Sequence, residues 1–352
     1  MIIRIQGERE IQNHIYYEYD SESIPLGEGG MGTVYQGYCY NALSPEEFLP
    51  VAIKLINNPT QNLIDRAMRE ASIQIDHPNL LRMYGFIPNM EFDEFSQSYR
   101  PRYYLIMERI VGVSLESLMQ GVLIDKVGTY VDFAKDLYEQ YMNDRPAFIK
   151  RIVGAVCQGL DALHKFGYVH RDVDPSNIMI THDGKIKLID YGVSKTIQSY
   201  NGPKLTQAGS VIGKPSYAAP EVVRGDISCH NQTTDIYAMG IMIYELYTGV
   251  LPFQGDMEKI MYAQVNMPVP VKHIDNSVIR SVIAKATSKS QSDRYQSALA
   301  LAEDIQKEEK HKIIRRTKED SIISSTFEIK TWMWIACAAV GVLLGLLVSI
   351  LG

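Results

Sequence analysis

The stretch HRDVDPSNIMI, residues 170–180, is the part of the sequence that decides the fold. It places basic, acidic and amide side chains within a few positions and then continues into an apolar run. Each of these residues alone has an ordinary explanation, because Asp and Asn are common in turns. The interpretation therefore depends on the motifs that precede and follow this stretch.

A glycine-rich segment, LGEGGMGTVYQG at residues 26–37, has the spacing G-x-G-x-x-G-x-V. Glycines let backbone amides approach phosphate oxygens closely. The spacing alone would also suit a dinucleotide-binding site, but such a site needs a helix directly after the glycines. Here the strand-like TVYQGYCY follows, and this disfavours dinucleotide binding.

An ordered series of polar motifs surrounds the opening stretch. It consists of VAIK ending at Lys54, Glu70 in the next predicted helix, HRD ending at Asp172, then Asn177, DYG at 190–192, APE at 219–221, Asp235 and Arg294. Over residues 20–305 the chain resembles eukaryotic-type (Hanks-type) serine/threonine protein kinases. Its segment GEGGMGTVY is similar to that of bacterial members of this family. The resemblance implies an α+β, bilobal protein-kinase fold, with a small β-rich N-lobe containing helix C and a larger helical C-lobe.

The resemblance implies a role for each matching position. Lys54 would hold the α- and β-phosphates of ATP and pair with Glu70, and Asp172 would accept or orient the substrate hydroxyl proton. Asn177 and Asp190 would hold Mg²⁺, or alternatively Mn²⁺. The nucleotide-binding residues that it implies are Leu26, Gly27, Glu28, Gly29, Gly30, Met31, Gly32, Val34, Ala52, Lys54, Met107, Glu108, Ile110 and Met179. Glu221 and Arg294 are expected to form a buried ion pair with a structural role.

One departure from the family pattern concerns catalysis directly. Two residues after Asp172, where serine/threonine kinases have a lysine, the chain has Asp174, and Lys214 takes the place of the threonine that this lysine contacts. An unneutralised carboxylate about 4 Å from Asp172 would cost on the order of 4 kcal/mol at an effective dielectric of about 20. We expect a charge swap, in which Lys214 reaches back to Asp174 and supplies the missing cation as a catalytic residue. The alternative is that the two changes are independent and Lys214 points to solvent.

Two further departures are smaller. Tyr191 replaces the phenylalanine of DFG, and its ring is expected to fill the same apolar slot. Gln74 follows Glu70 by four positions, where an apolar residue is usual, so a polar side chain is expected in an apolar column. Within the predicted helix 62–75, Leu63, Ala67, Ala71 and Ile75 share one face, and HPN at 77–79 is expected to end it.

Three functions remain compatible with these residues. The retained catalytic series favours transfer of the γ-phosphoryl group of ATP to protein Ser or Thr hydroxyls, since GKPSYAAPE (213–221) is closer to the serine/threonine pattern than to that of tyrosine kinases. Asp174 and Gln74 favour a pseudokinase that acts as a scaffold. A phosphotransferase for small molecules is disfavoured by the APE segment. In an active kinase, Thr206 and Ser210 are the preferred phosphorylation sites of the activation segment.

Composition and charge exclude other classes. The net charge of −6 does not suit a nucleic-acid-binding protein. The four cysteines are far apart and form no CxxC pair, which disfavours thiolate metal sites and a disulfide framework. Charges interrupt the first apolar residues, so they do not form a signal peptide.

The last part of the sequence is the most apolar. Residues 332–351, WMWIACAAVGVLLGLLVSIL, carry no charge and as a helix would span about 30 Å, the thickness of a bilayer core. Basic residues precede this segment, which places the kinase domain on the cytoplasmic side. Gly341 and Gly345 are compatible with packing of two such helices, that is, with a homodimer. The predicted organisation is an N-terminal extension (1–19), a kinase domain (20–305), a charged linker (306–331) and a transmembrane helix (332–351), with the protein in a bacterial inner membrane.

Overall fold

A seven-stranded antiparallel sheet with one long helix forms the N-terminal lobe. Its elements in chain order are β1 (Ile2–Ile5), α1 (Glu8–Gln12), β2 (Ile15–Asp20), β3 (Gly27–Gly29), β4 (Gly32–Asn41), β5 (Ser44–Ile56), α2 (Gln61–Ala71), β6 (Met83–Asp93) and β7 (Ser98–Glu108). The strand order is β1-β2-β4-β5-β7-β6, and β3 pairs with β4. This computed structural model describes residues 1–29, 32–93, 97–190, 194–195 and 214–308.

The alternation of side chains along β5 separates two apolar clusters. Val51 and Ile53 point to one face of the sheet and pack with Tyr104 and Ile106 of β7. Ala52 and Ile56 point to the other face, toward the main core. Because successive side chains of a strand alternate between faces, Lys54 lies on the same face as Ala52. The strands predicted at 51–56 and 103–110 are confirmed, although β7 ends at Glu108.

The residues assigned to an N-terminal extension belong to this lobe. Strand β1 pairs with β2, and β2 pairs with β4, so both strands extend the central sheet. Ile5 is fully buried and packs in the same cluster as Tyr17 and Tyr104. Burial of such a side chain stabilises the lobe by about 2 kcal/mol.

Helices dominate the second lobe. Its elements are β8 (Gly112–Ser114), α3 (Leu115–Met119), α4 (Asp132–Asn143), α5 (Arg145–Lys165), β9 (Tyr168–Val169), β10 (Ile178–Thr181), β11 (Ile186–Leu188), β12 (Ser194–Lys195), α6 (Pro220–Val223), α7 (Gln232–Thr248), α8 (Met257–Asn266), α9 (Ser277–Ala286) and α10 (Ala298–Gln306). A small sheet of order β11-β10-β8 lies at the start of this lobe. The expected α+β architecture, with a β-rich N-lobe and a helical C-lobe, is therefore present.

The long helices follow the sequence pattern. Helix α5 ends before Gly167, whose φ of +79° suits the left-handed turn that terminates a helix. Helix α7 is buried on almost all faces and ends at Gly249, which has a φ of +81°. A polar face is unnecessary there, because neighbouring helices cover this helix on several sides.

Helix α2 differs from its prediction at the C-terminal end. It ends at Ala71 rather than at the HPN segment, and Ser72 caps it through hydrogen bonds back into the last turn. The chain beyond is no longer helical, so Ile73 and Ile75 are buried whereas Gln74 is exposed. The prediction that Gln74 places a polar side chain in an apolar column is thus wrong, because the helix ends before this position.

Several expectations fall on residues outside the described ranges. These are Gly30 and Met31, Tyr191 and Gly192, the two preferred phosphorylation sites, Gly213, most of the linker and all of 332–351. Within the described ranges, no helix is long and apolar enough to span a bilayer.

Candidate active site

A cleft of about 720 Å³ lies between the strands of the N-lobe and the first elements of the C-lobe. Most of the residues that the sequence assigned to nucleotide and metal binding line it, together with Glu70. They are Leu26, Gly27, Glu28, Gly29, Gly32, Val34, Ala52, Lys54, Glu70, Met107, Glu108, Ile110, Asn177, Met179 and Asp190. A smaller pocket next to the catalytic loop is lined by Asp172 and Lys214. The fold therefore brings together residues that are far apart in sequence.

Apolar side chains from both lobes form the inner walls of the cleft. Val34 and Ala52 come from the sheet, Met179 comes from β10, and Met107 lies at the end of β7. Met179 pairs with Ser114 in the small sheet, which fixes its position relative to the strand that follows Ile110. A flat, uncharged ring fits between such walls, as the predicted adenine site requires.

The glycine-rich hairpin of β3 and β4 covers one side of the cleft. Gly32 is required for packing, because a Cβ there would lie 2.0 Å from the backbone oxygen of Leu55. Gly29 has open space around it. Position 32 therefore needs glycine because the neighbouring strand lies close to it. Gly29 leaves room for a ligand to approach the backbone.

Lys54 and Asp190 form an ion pair inside the cleft. Lys54 Nζ lies 3.3 Å from Asp190 Oδ1, and the lysine side chain is about one-tenth exposed. Burial opposes ionisation of both groups, but the Lys54 ammonium holds the pKa of Asp190 below its ordinary value, and the carboxylates of Glu70 and Asp190 raise the pKa of Lys54. Both groups are therefore charged at neutral pH.

Glu70 is buried next to this pair without joining it. It is 1% exposed, and its Oε2 has no hydrogen-bond partner within the described part of the chain. Burial raises the pKa of Glu70 to about 7, although the charge of Lys54 opposes this. Among the described side chains the expected Lys54–Glu70 ion pair is not formed, since Lys54 contacts Asp190 instead.

The catalytic loop is held by a carboxylate from helix α7. Asp235 is fully buried and accepts hydrogen bonds from the backbone N–H groups of His170 (2.9 Å) and Arg171 (2.7 Å). It also contacts His164 Nε2 at 2.7 Å. Arg171 has a φ of +68°, a conformation that costs energy for a residue with a side chain. Asp235 thus fixes the strained turn directly before Asp172.

Asp172 lies in a partly buried position. Burial raises the pKa of Asp172, and the nearby charge of Asp174 raises it further. Asn177 Nδ2 donates to the backbone oxygen of Asp172 at 2.8 Å. Because the amide nitrogen of Asn177 is used there, its side-chain oxygen is left for a ligand in the cleft.

Asp174 and Lys214 are in direct contact. Lys214 Nζ lies 3.1 Å from Asp174 Oδ1 and 3.0 Å from Ser176 Oγ, and it also reaches Glu116 at 3.3 Å. Asp174 is almost fully buried and caps the short turn that follows, accepting from the backbone N–H of Ser176 at 2.7 Å. The carboxylates raise the pKa of Lys214 against the opposing effect of burial. The alternative in which Lys214 points to solvent is therefore wrong.

Asn177 and Asp190 offer the donor atoms that Mg²⁺ prefers, an amide oxygen and an ionised carboxylate. Both line the cleft below the glycine-rich hairpin. The residues present therefore fit a divalent cation bound together with the phosphates of a nucleotide.

The large lobe contains the predicted structural ion pair. Arg294 donates from both terminal nitrogens to the two carboxylate oxygens of Glu221, at 2.8 and 2.9 Å. Both residues are buried. This pairing is confirmed, and it anchors α6 to the segment that precedes α10.

One residue that contacts the cleft wall and one that lines the cleft were not predicted. Lys187 contacts Glu108 at 2.8 Å and the backbone oxygen of Leu80 at 3.2 Å, and it thus fixes the Glu108 side chain. Lys126 lines the entrance of the cleft from the segment between α3 and α4. A lysine at the centre of the apolar stretch IKL (186–188) signalled a buried pair, whereas nothing in the local sequence places residue 126 at the cleft.

Comparison with known proteins agrees with this geometry. The sequence profile of the protein kinase domain matches residues 21–322. The chain is 27% identical to the probable serine/threonine-protein kinase CPE1738 of Clostridium perfringens, over 80% of this chain and 37% of that protein. It is 27% identical to the serine/threonine-protein kinase PknB of Mycobacterium tuberculosis, over 89% of this chain and 47% of the relative. It is 29% identical to the serine/threonine-protein kinase pkn3 of Myxococcus xanthus, over 85% of this chain and 51% of that protein.

The chain thus spans about half or less of the length of the curated relatives that it matches. The family match nevertheless covers the N-lobe from β3 onward, the described C-lobe elements and every residue of the cleft described above. This chain belongs to the protein kinase domain family.

Proposed function

We propose that the protein transfers the γ-phosphoryl group of ATP to Ser or Thr hydroxyls of protein substrates. The observation that supports this most is the meeting of Lys54, Asn177 and Asp190 in one cleft, with Asp172 beside it. A scaffold has no need for these four residues together. The family match and the similarity to serine/threonine-protein kinases support the same activity.

Each polar group has a separate task in this reaction. Mg²⁺ would be held by Asn177 and Asp190 and would neutralise charge on the phosphates. Lys54 binds the phosphates as a buried cation. The attraction between the two charges is strong because the surroundings exclude water. With Asp190 engaged at the metal, Glu70 would be the carboxylate left to pair with Lys54. Its Oε2, which has no hydrogen-bond partner among the described residues, would then gain one.

Asp172 is the group that accepts the hydroxyl proton of the substrate. Burial and the neighbouring Asp174 raise its pKa toward the working pH, which makes a carboxylate a better base. Asp235 acts as a positioning residue, because it holds the backbone directly before Asp172. The resulting geometry keeps the base close to the incoming hydroxyl.

Lys214 supplies the cation that other serine/threonine kinases carry in the catalytic loop. Its ammonium sits on Asp174 and so cancels the negative charge that would face the transferring phosphoryl group. The three N–H groups of the Lys214 ammonium are directed to Asp174, Ser176 and Glu116, so Lys214 acts through its positive charge rather than through a free donor. The Asp174–Lys214 pair is therefore neutral, one positive charge less than the lysine and threonine expected at these two positions.

We also propose that the protein is a single-pass membrane protein whose kinase domain faces the cytoplasm. The support is the uncharged run at 332–351 and the basic residues that precede it. A membrane pellet washed with alkaline carbonate should retain the full chain, and a chain truncated before residue 332 should be soluble. Release of the full chain by carbonate would contradict anchoring.

The activity is tested with purified protein, Mg²⁺ and ATP labelled at the γ-phosphate. Label should enter the protein itself or a general serine-containing substrate, and acid hydrolysis should release phosphoserine or phosphothreonine. Asp172→Asn serves as the matched control and should lose transfer while still binding ADP. Binding of nucleotide by the wild type without any transfer would show a pseudokinase instead.

A further inference from the structure

A turn outside the glycine-rich hairpin forms part of the cleft wall. It comprises residues 123–131, named here the 123–131 turn, and lies in the long segment between α3 and α4. Ile124, Lys126 and Val127 of this turn line the entrance of the cleft together with Gly27. A methyl group added at Gly27 would lie 3.5 Å from Lys126 Nζ. The turn therefore faces the first strand of the glycine-rich hairpin directly.

The turn is built around a buried carboxylate. Asp125 Oδ1 accepts hydrogen bonds from the backbone N–H groups of Val127 (3.0 Å) and Thr129 (2.8 Å). Its Oδ2 contacts His182 Nε2 at 2.9 Å, which ties the turn to the connection between β10 and β11. Gly128 has a φ of +87°, as a tight reversal requires. These contacts hold Lys126 in place through its backbone.

The base of the turn is equally well fixed. Val131 is fully buried and its N–H donates to the backbone oxygen of Leu123 at 2.9 Å. Ile124 and Tyr130 form an isolated antiparallel bridge. A segment held by these bonds has a defined conformation, so its side chains are presented to the cleft in a reproducible way.

Lys126 differs from the other lysines around the cleft. Lys54, Lys187 and Lys214 are each ion-paired with a carboxylate. Lys126 is exposed and makes no ion pair with any residue that the structure describes. A lysine side chain extends roughly 6 Å with several rotamers, so its ammonium can follow an anion in the cleft without loss of an existing partner.

We propose that Lys126 is an additional nucleotide-binding residue that contacts the phosphates from beside Gly27, at the start of the glycine-rich hairpin, with Asp125 as its positioning residue. This inference rests on the proposed ATP-dependent function. The 123–131 turn and the first strand of the hairpin then border the nucleotide cleft together. Because the contact is made equally before and during transfer, it contributes to affinity rather than to the rate of the bound complex.

The test compares nucleotide binding by the wild type, Lys126→Ala and Lys126→Glu in the full chain, by calorimetry with Mg²⁺ present. ADP binding should weaken about fivefold for Lys126→Ala and more for Lys126→Glu, whereas adenosine binding should change less than twofold. Lys135→Ala, which removes an exposed lysine from neighbouring α4, should bind both ligands like the wild type. Asp125→Ala, checked for an unchanged unfolding transition of the rest of the domain, should weaken ADP binding at least as much as Lys126→Ala.

The outcomes separate this inference from the proposed function. Equal ADP affinity in the wild type and both Lys126 variants would overturn the role of Lys126 while leaving the kinase activity intact. An equal loss for ADP and adenosine would also overturn it, because the contact would then be with the nucleoside. Absence of ADP binding by the wild type would contradict the proposed function itself.

Discussion

The ammonium of Lys214 lies 3.1 Å from the carboxylate of Asp174, two residues beyond the proposed catalytic base. The pair links the segment before α6 to the catalytic loop, and it puts the cation on that segment instead of on the loop. Asp174 has a second function in this chain, since it also caps the turn at Ser176. Oδ1 of this buried carboxylate thus accepts from both the Lys214 ammonium and a backbone N–H, which stabilises its negative charge.

The charge exchange predicts a specific pattern of activities. Lys214→Thr should lower kcat at least about a hundredfold, because Asp174 then repels the phosphates. The double change Asp174→Lys with Lys214→Thr should recover much of this loss in a phosphoryl-transfer assay. Lys185→Thr, an exposed lysine in the turn after β10, is the control and should be neutral. Full activity of Lys214→Thr would disprove the exchange.

Glu70 predicts a pH dependence of stability. Its pKa is raised to about 7 in the folded protein, so the folded state keeps a proton that the unfolded chain releases above about pH 4.5. The free energy of unfolding therefore falls as pH rises between these values, by up to on the order of 3 kcal/mol. Glu70→Gln should unfold at a higher temperature than the wild type at pH 8 and at a similar temperature at pH 4.5.

The control for this measurement is Glu139→Gln, which changes an exposed glutamate on α4. Its melting temperature should follow the wild type at every pH. Parallel curves for Glu70→Gln and the wild type would show that the carboxyl is not protonated in the folded protein. Saturating Mg²⁺ and ATP should reduce the difference, since Glu70 then pairs with Lys54.

Asp235 predicts a separation of rate from affinity. Asp235→Asn removes the charge that contacts His164 and weakens the hold on the backbone of His170 and Arg171. The base moves as a result, and kcat should fall more than about tenfold, with KM for ATP changed less than about threefold. Asp136→Asn, at an exposed position of α4, should leave both constants unchanged. A rise in KM without a change in kcat would argue against this positioning role.

The Glu221–Arg294 pair predicts a large loss of stability when one partner is removed. Arg294→Ala leaves a buried carboxylate without its two donors and should cost about 3–5 kcal/mol in the free energy of unfolding. The double variant with Glu221→Ala should lose less than the sum of the two single variants. Additive losses in urea unfolding would show that the two residues do not interact.

The sequence was sufficient for the parts of the site that depend on alternation and motif order. The VAIK strand places Lys54 on the cleft side because its neighbours alternate between two apolar clusters. The end of α2 was missed, because a cap at Ser72 is a weaker signal than the later proline. The Lys54–Asp190 pairing and the position of Lys126 depend on contacts between distant segments, and a local pattern carries no information on these.

The hydrogen bonds from His170 and Arg171 to Asp235 also link catalysis to the order of folding. Arg171 and Asp235 are 64 residues apart in the sequence. Asp235 belongs to α7, which is buried along most of its length. The left-handed turn at Arg171 is therefore unfavourable until α7 has packed. A nascent or partly unfolded chain that has not buried this helix cannot keep its base in position. The proposed phosphoryl transfer therefore requires a completely folded large lobe. An incompletely folded copy is expected to be inactive.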